Sequence, residues 1–215
     1  MGENATRETT NADIGALGSE FEPPLLLMAM PQVLDPFFHQ SVVLLVHHQP
    51  EGSLGFIVNR PTHTTVHDVL EGLDLVWHGD RELPAYFGGP VEPQLGTVIF
   101  AAGDGGLPAD DAPSEPTASE VAPGIAMSQH IRDLAALAKA PPAALRLLLG
   151  YAGWGDGQLE HEILRNDWMV APVSGELLFG LDPRETWARA FTSIGVDPET
   201  LPTWTPNDDR QGEAN

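Results

Sequence analysis

"GYAGWGDGQLEHEI" (Gly150–Ile163) sets four glycines, at 150, 153, 155 and 157, around one tryptophan and then enters a charged, helix-like run. Three readings compete for it: a phosphate-cradling loop, a catalytic turn, or a tight corner between a strand and a helix. A phosphate loop needs G-x-x-x-x-G-K-[ST], which occurs nowhere in the chain. The dinucleotide fingerprint fails as well, because counting from Gly153 and Gly155 puts Gln158 where the third glycine belongs. Backbone donors at a helix starting near Gly157 favour an anion, yet Asp156, Glu160 and Glu162 oppose one and no lysine is near. The corner reading uses more of the residues. After the apolar "LRLLL" the chain must turn sharply, glycines permit that, Trp154 can close over the bend, and Gln158 and Asn166 can supply amide hydrogen bonds. If Gly153 or Gly155 holds a positive φ or a close backbone contact, a valine there should cost more than ~1 kcal/mol.

Outward from that corner, compact apolar runs alternate with turn residues. Strands are predicted at 25–30, 41–47, 54–58, 85–88, 96–101, 124–127, 145–152 and 168–171, the second and third forming a hairpin across "HQPEGS". Three further helices are bounded by their caps. Thr65 and Asp68 make a capping box for 65–73. Ser128 is the expected cap of a helix with Ile131, Leu134, Ala135 and Ala138 on its apolar face, ending before Pro141 and Pro142. Asp182, Pro183 and Glu185 start a third that buries Trp187, Ala190, Phe191 and Ile194 and ends at Gly195. Strands without regular strand–helix alternation predict an α+β fold.

At 215 residues the chain suits one domain, expected over 23–205, with tails at 1–22 and 206–215 and a solvated acidic loop at 103–120. The net charge of −21 comes from 31 acidic against 10 basic residues. The tails and the acidic loop account for about half of it, so the domain is acidic in its own right. Such a surface repels nucleic acid and anionic lipid, and disfavours direct DNA binding. There is no cysteine, which excludes disulfides and thiolate chemistry. No basic-then-apolar leader opens the sequence and no apolar run approaches the ~20 residues of a spanning helix, so a cytoplasmic, non-membrane protein is expected.

Among candidate sites, "LGFIVNRPT" delivers Asn59, Arg60 and Pro61 at a strand end, Pro61 confining Arg60 to an extended conformation. Arg60 can clamp an anionic ligand, although an internal bidentate pair with a carboxylate is the commoner use of such a residue. "YFGGPVEP" places Gly88, Gly89 and Pro90 at another strand end, where a tight turn explains them. Glu160 and Glu162 stand two apart on a helix and point to different faces, which spoils them as an acid/base pair and leaves capping and solvation to account for them. His63 and His67 are split by the cap at Thr65, and His47 and His48 alternate across a strand, so no metal or cofactor is expected. Ser41, Ser53 and Ser128 have no identifiable base beside them, and no catalytic residue is assigned.

Five ordered stretches, "LLLMAMPQVLDPFFHQSVVLLVHH", "EGSLGFIVNRP", "YFGGPVEP", "GYAGWGDGQLEHEILRNDWMVAP" and "ELLF…DPRETWARAFTSIGVDP", resemble the YqgE/AlgH family between Pro24 and Pro198. The family's motifs fall here on Asn59, Arg60, Pro61, Gly88, Gly89, Pro90, Gly153, Trp154, Gly157, Gln158, Glu160 and Glu162. The resemblance implies a cytosolic, single-domain α+β protein with a branched or barrel-like mixed β-sheet surrounded by helices. It also implies a role described as transcriptional regulation, without a DNA-binding element. This chain departs from the pattern in its acidic loop at 103–120 and in "SQHIRDL", where family members often carry more acid. Two function classes follow: a non-enzymatic regulator acting through a protein partner or small-molecule ligand at these corners, or an enzyme, a hydrolase for instance, with Arg60 as anion clamp and Glu160 or Glu162 as acid or base.

Overall fold

The computed structural model describes residues 22–102 and 117–202. The expected tails, except Glu22, and the expected acidic loop, except 117–120, lie outside the described residues. Ten strands form one mixed sheet: β1 (Leu25–Ala29), β2 (Val42–Gln49), β3 (Gly52–Ile57), β4 (Pro61–Thr65), β5 (Pro84–Phe87), β6 (Val91–Ala101), β7 (Ser119–Ala122), β8 (Ile125–Ser128), β9 (Leu145–Trp154) and β10 (Trp168–Ala171). Four α-helices cover it: α1 (Val66–Glu71), α2 (Ile131–Lys139), α3 (Gln158–Leu164) and α4 (Pro183–Ser193). The main path runs β10-β1-β2-β3-β9-β6-β8-β7, with β4 and β5 branching off it. The expected α+β fold with a branched sheet is the observed one.

The branch point is β9, and glycine makes it possible. Leu148 and Leu149 pair with Tyr86 and Phe87 of β5 on one edge and with Thr97 and Gly96 of β6 on the other. The chain between Phe87 and Val91 must therefore pass across β9, and it does so at Gly150. A Cβ on Gly89 would stand 2.1 Å from the Tyr151 carbonyl carbon, and one on Gly150 would stand 2.4 Å from the Gly89 oxygen. Gly89 also has φ +154° and Gly150 has φ +73°, so both space and backbone conformation require glycine. The tight turn expected at Gly88–Pro90 is thus a crossover between the two edges of one strand. Gly88 ties it down, its N–H donating to Leu149 and its carbonyl accepting from Ile57.

Both faces of the sheet are buried. One face packs Leu26, Leu44, Phe56 and Leu148 against Ala190 and Phe191 of α4. Another cluster sets Val98, Phe100 and Leu147 under α1 and α2 through Val66, Leu70 and Leu137. The third holds Leu27, Val43, Ile57 and Trp154 beneath Leu159 of α3. Burying these apolar side chains is the main stabilising term, roughly 25 cal/mol per Å² of apolar surface.

Several local expectations need correction. The β2–β3 hairpin closes across Pro50 and Glu51 alone, because pairing continues to Gln49 and Gly52. Residues 61–65 form a strand on the strength of pairing with β5, and 119–122 a strand against β8, where a solvated loop was expected. The cap of α2 is His130, whose ring accepts from the Arg132 N–H; the Ser128 hydroxyl is engaged by Asp133 instead. Ala138 is buried and Leu134 partly buried as expected, while Asp133, Ala136 and Leu137 are buried as well and Ile131, in the first turn, is 49% exposed. At α4, Asp182 accepts from Arg184 through its side chain and from Glu185 only through its backbone carbonyl, so the cap is simpler than a box. The Thr65–Asp68 capping box of α1 forms with both bonds present.

Candidate functional site

The corner that opened the sequence argument is a strand-to-helix turn: β9 ends at Trp154, Gly157 sits in the left-handed region at φ 65°, and α3 follows. Its polar groups are used internally. The Trp154 and Trp168 indoles each donate to the same Glu162 Oε2 at 2.8 Å. Gln158 donates to Glu162 Oε1 at 2.9 Å, and its own oxygen accepts from the Gly155 N–H at 3.1 Å. Phe38 lies edge-on to Trp168 at 5.8 Å, and the two tryptophans cross at 5.9 Å. Charge-assisted bonds to one carboxylate thus lock two rings, α3 and β10 together. These three bonds take up most of the acceptor capacity of Glu162 and hold it to the fold.

Glu160 faces elsewhere, as expected from its spacing, but it is 8% exposed rather than solvated. Its Oε1 stands 3.8 Å from His48 Nε2, and His48 Nδ1 lies 2.7 Å from the Ser53 hydroxyl. Ser53 therefore does have a base beside it, contrary to the sequence expectation. Cross-strand pairing of His48 with Ser53 brings the two together, which no local pattern announces. The His48 side chain is only 4% exposed, and the acid is beyond hydrogen-bond distance of the imidazole. His48 and Glu160 are buried between α3 and the hairpin, whereas Ser53, itself 7% exposed, borders a cleft, so the trio reads as a polar stitch with one end at the surface. That cleft, shallow and of about 560 Å³, is lined by Ser53, Gly153, Trp154, His47, Glu51 and Tyr151 among others and offers no permanent positive charge.

The Asn59–Arg60–Pro61 end is built differently. Asn59 accepts from the Val42 N–H at 2.8 Å and donates to the Gln40 carbonyl at 3.0 Å, so its amide pins the segment that precedes β2. Behind it, Arg146 of β9 is 4% exposed, donates to the Val58 carbonyl, and stacks its guanidinium over Tyr86 at 4.5 Å. Burial lowers the pKa of Arg146 below the ordinary arginine value, with Tyr86 opposing. Val58 and Tyr86 neighbour Arg60 and Phe87, so Arg146 buttresses the strand ends that present the site. An arginine inside the apolar run "LRLLLG" was the sequence signal for it, and it went unread.

Arg60 itself makes no internal carboxylate pair, which overturns the commoner reading of such a residue. It donates to the His39 carbonyl, its Nε has no hydrogen-bond partner, and no carboxylate stands within ion-pair distance among the described residues. Asp35 is near enough to raise its pKa slightly, while partial burial lowers it more. Asp35 turns its Oδ1 to the Phe37 and Phe38 N–H groups, at 2.8 and 3.3 Å. Arg60 lines a cleft of about 630 Å³ with Phe37, His39, Phe87, Arg184 and Trp187. Phe37 stacks on Phe87 at 5.7 Å yet remains 46% exposed. Pro61 and Asn59 border the same cleft, whereas Gly88, Gly89 and Pro90 form the crossover beside it. Gly153, Trp154, Gly157, Gln158, Glu160 and Glu162 belong to the separate corner, so the structure divides the candidate residues among cleft, crossover and corner.

Comparison with known proteins agrees with this architecture. A family model described as AlgH-like matches residues 26–199. A UPF0301 protein of Myxococcus xanthus is 38% identical over 179 residues, covering 83% of this chain and 93% of that one. A UPF0301 protein of Nitrobacter hamburgensis is 37% identical over 209 residues, 91% of each chain. The solution structure of AlgH from Pseudomonas aeruginosa superposes with a TM-score of 0.64 at 34% identity, covering 80% of this chain and 88% of that one. A crystal structure from Corynebacterium diphtheriae, 23% identical with a TM-score of 0.63, covers 82% and 92% and shares the fold. The chain belongs to the AlgH-like family.

Proposed function

We propose that this AlgH-like protein is a non-enzymatic regulator that acts through a ligand or protein partner engaged at the Arg60 cleft. The observation that carries the reading is a permanent cation, partly withdrawn from water, with no ion pair among the described residues of a protein of net charge −21. A charge left in that condition costs free energy unless a partner completes it. The neighbouring Phe37 supplies exposed aromatic surface, the usual companion of polar anchors at binding sites.

Direct DNA binding is disfavoured by the acidic surface and by the lack of a helix carrying a basic recognition face among the described residues. The hydrolase alternative loses support because Glu162 is tied up by three internal hydrogen bonds and because Glu160, 3.8 Å from the His48 imidazole, is too far to orient it toward Ser53 by a hydrogen bond. Cytoplasmic residence is part of the proposal and rests on the sequence expectation. No helix among the described residues is long and apolar enough to cross a membrane.

The test compares native with denatured mass for wild type and Arg60→Met, each purified gently from cell extract, and follows with affinity capture using the same pair. The reading expects a bound molecule or a captured protein on wild type that is lost on Arg60→Met. Identical masses and identical captures for the two forms would overturn it. Esterase or phosphatase turnover abolished by Ser53→Ala would revive the hydrolase.

A further inference from the structure

We infer that the Arg60 cleft takes a small molecule with one planar ring and a single carboxylate or phosphate group, an inference that rests on the cleft being the working site.

The charge requirement comes from counting which cations are spoken for. Arg184, at the start of α4, already holds Asp182 at 2.7 Å, so its charge is compensated. Arg60 is bound only to the His39 carbonyl among the described residues. The cleft therefore offers one guanidinium that has no ion pair among the described residues and feels only the more distant charge of Asp35, which suits a single anionic group; a carboxylate or phosphate is the geometry a guanidinium prefers. A polyanion would gain the same single anchor while being repelled more strongly by a protein of net charge −21.

The ring requirement comes from what else lines the space. Phe37 stacks on Phe87 and keeps nearly half its surface open. Trp187 lines the cleft too, and its indole N–H is already donated to the Ala29 carbonyl at 2.8 Å, leaving only its faces. Asn59 has its amide oxygen and nitrogen engaged within the fold. His39 uses Nδ1 on the Val33 carbonyl. Apart from Arg60, the Gln40 amide and His39 Nε2 are the polar side-chain groups left to read a ligand, whereas Phe37, Phe87 and Trp187 bring three aromatic rings to the lining. At about 630 Å³ the cleft falls in the range of small-molecule sites.

The test is an amide and indole NMR titration of the full chain with benzoate, indole-3-acetate and phenyl phosphate. Acetate supplies the charge without a ring, and benzyl alcohol the ring without a charge. The inference expects a saturable shift of the Trp187 indole N–H with at least one ring anion. Acetate and benzyl alcohol, and ring anions on Arg60→Met, should bind at least about tenfold more weakly, the loss of one charge-assisted contact. The ranking of benzoate against phenyl phosphate distinguishes the two anionic groups. Phe37→Ala, at an exposed position, tests the ring without threatening the fold and should weaken benzoate while leaving acetate unchanged. Absence of saturation by every ring anion, or equal binding by wild type and both variants, overturns the inference. If ring anions fail while protein capture still depends on Arg60, this inference falls and the cleft remains the working site. If nothing depends on Arg60, both fall.

Discussion

The corner at Gly150–Glu162 and the cleft at Arg60 use similar ingredients, aromatic rings beside a charged side chain, and differ in how completely those ingredients are consumed. At the corner, two indoles and an amide converge on Glu162, and the carboxylate has little acceptor capacity left. At the cleft, the Arg60 guanidinium has no ion pair among the described residues, and Phe37 stays open. A charge bound from several sides holds a fold together, whereas an uncompensated one is available to something else. A motif dense in reactive residue types can therefore be the least chemically available part of a protein.

The largest effect expected from this contrast lies in the backbone beneath the corner. Gly89→Ala forces a Cβ to within 2.1 Å of the Tyr151 backbone at the β9 crossover and should abolish soluble folding. Gly155→Val is different, since the nearest atom to its Cβ is Gln158 Oε1 at 4.0 Å and Gly155 has no positive φ. It should cost about 1 kcal/mol or less. The earlier expectation that Gly153 or Gly155 would be the demanding glycine is thus moved to Gly89 and Gly150. Soluble yield and thermal melting of the two variants check it, and equal behaviour would break the crossover argument.

Next in size, Glu162→Ala leaves two indole N–H groups without their acceptor and should lower unfolding free energy by about 2 to 4 kcal/mol in urea titration. A loss under about 1 kcal/mol would mean the corner is less saturated than argued. Ser53→Ala should be milder, about 1 kcal/mol, because it removes one hydroxyl from a stitch whose other members remain. Melting temperature reports the stability, and an unchanged activity screen reports the absence of nucleophile chemistry.

The smallest effect concerns the exposed cap of α4. Hydrogen bonds from Arg184, first through its side chain and then its backbone N–H, hold the Asp182 pKa at about 2 against an ordinary 3.8. The folded value lies below the unfolded one, so this contribution is present above the ordinary carboxylate range and is lost as pH falls toward about 2. Solvent screening keeps it small. Asp182→Asn should flatten the stability profile slightly over that acid window, and parallel profiles for the two proteins would remove the cap from the account.

Much of the fold was legible because its signals are local. The apolar runs at 25–30, 41–47 and 145–152 and the Thr65–Asp68 box carry their own physics, and all appear as strands or as a capped helix. Pro61–Thr65 was invisible as a strand because "PTHTT" has no apolar pattern and gains its structure only by pairing with β5. The face of α2 was half legible: Ala138 and Leu134 pack inward, but Asp133 is buried because Thr117 and Ser128, from outside the helix, donate to it, which no helical pattern announces. "FGGP" announces a turn, but only the distant Gly150 explains why glycine is needed there. The residues of the cleft were half legible: Asn59, Arg60 and Pro61 stand in one motif, while Phe37, Phe87 and Trp187 arrive from three separate segments. Whether Arg60 has a carboxylate is a property of the assembled surface, and sequence gave the wrong side of that question.

The central claim is that Arg60 is held for a ligand while Glu162 is held for the fold, and urea unfolding of Arg60→Met beside Glu162→Ala tests it most directly. The account predicts that Arg60→Met stays within about 1 kcal/mol of wild type, since the one lost bond is offset by removing a partly desolvated charge. Glu162→Ala should fall well below both. A loss for Arg60→Met as large as that for Glu162→Ala would make Arg60 a structural residue and contradict the claim.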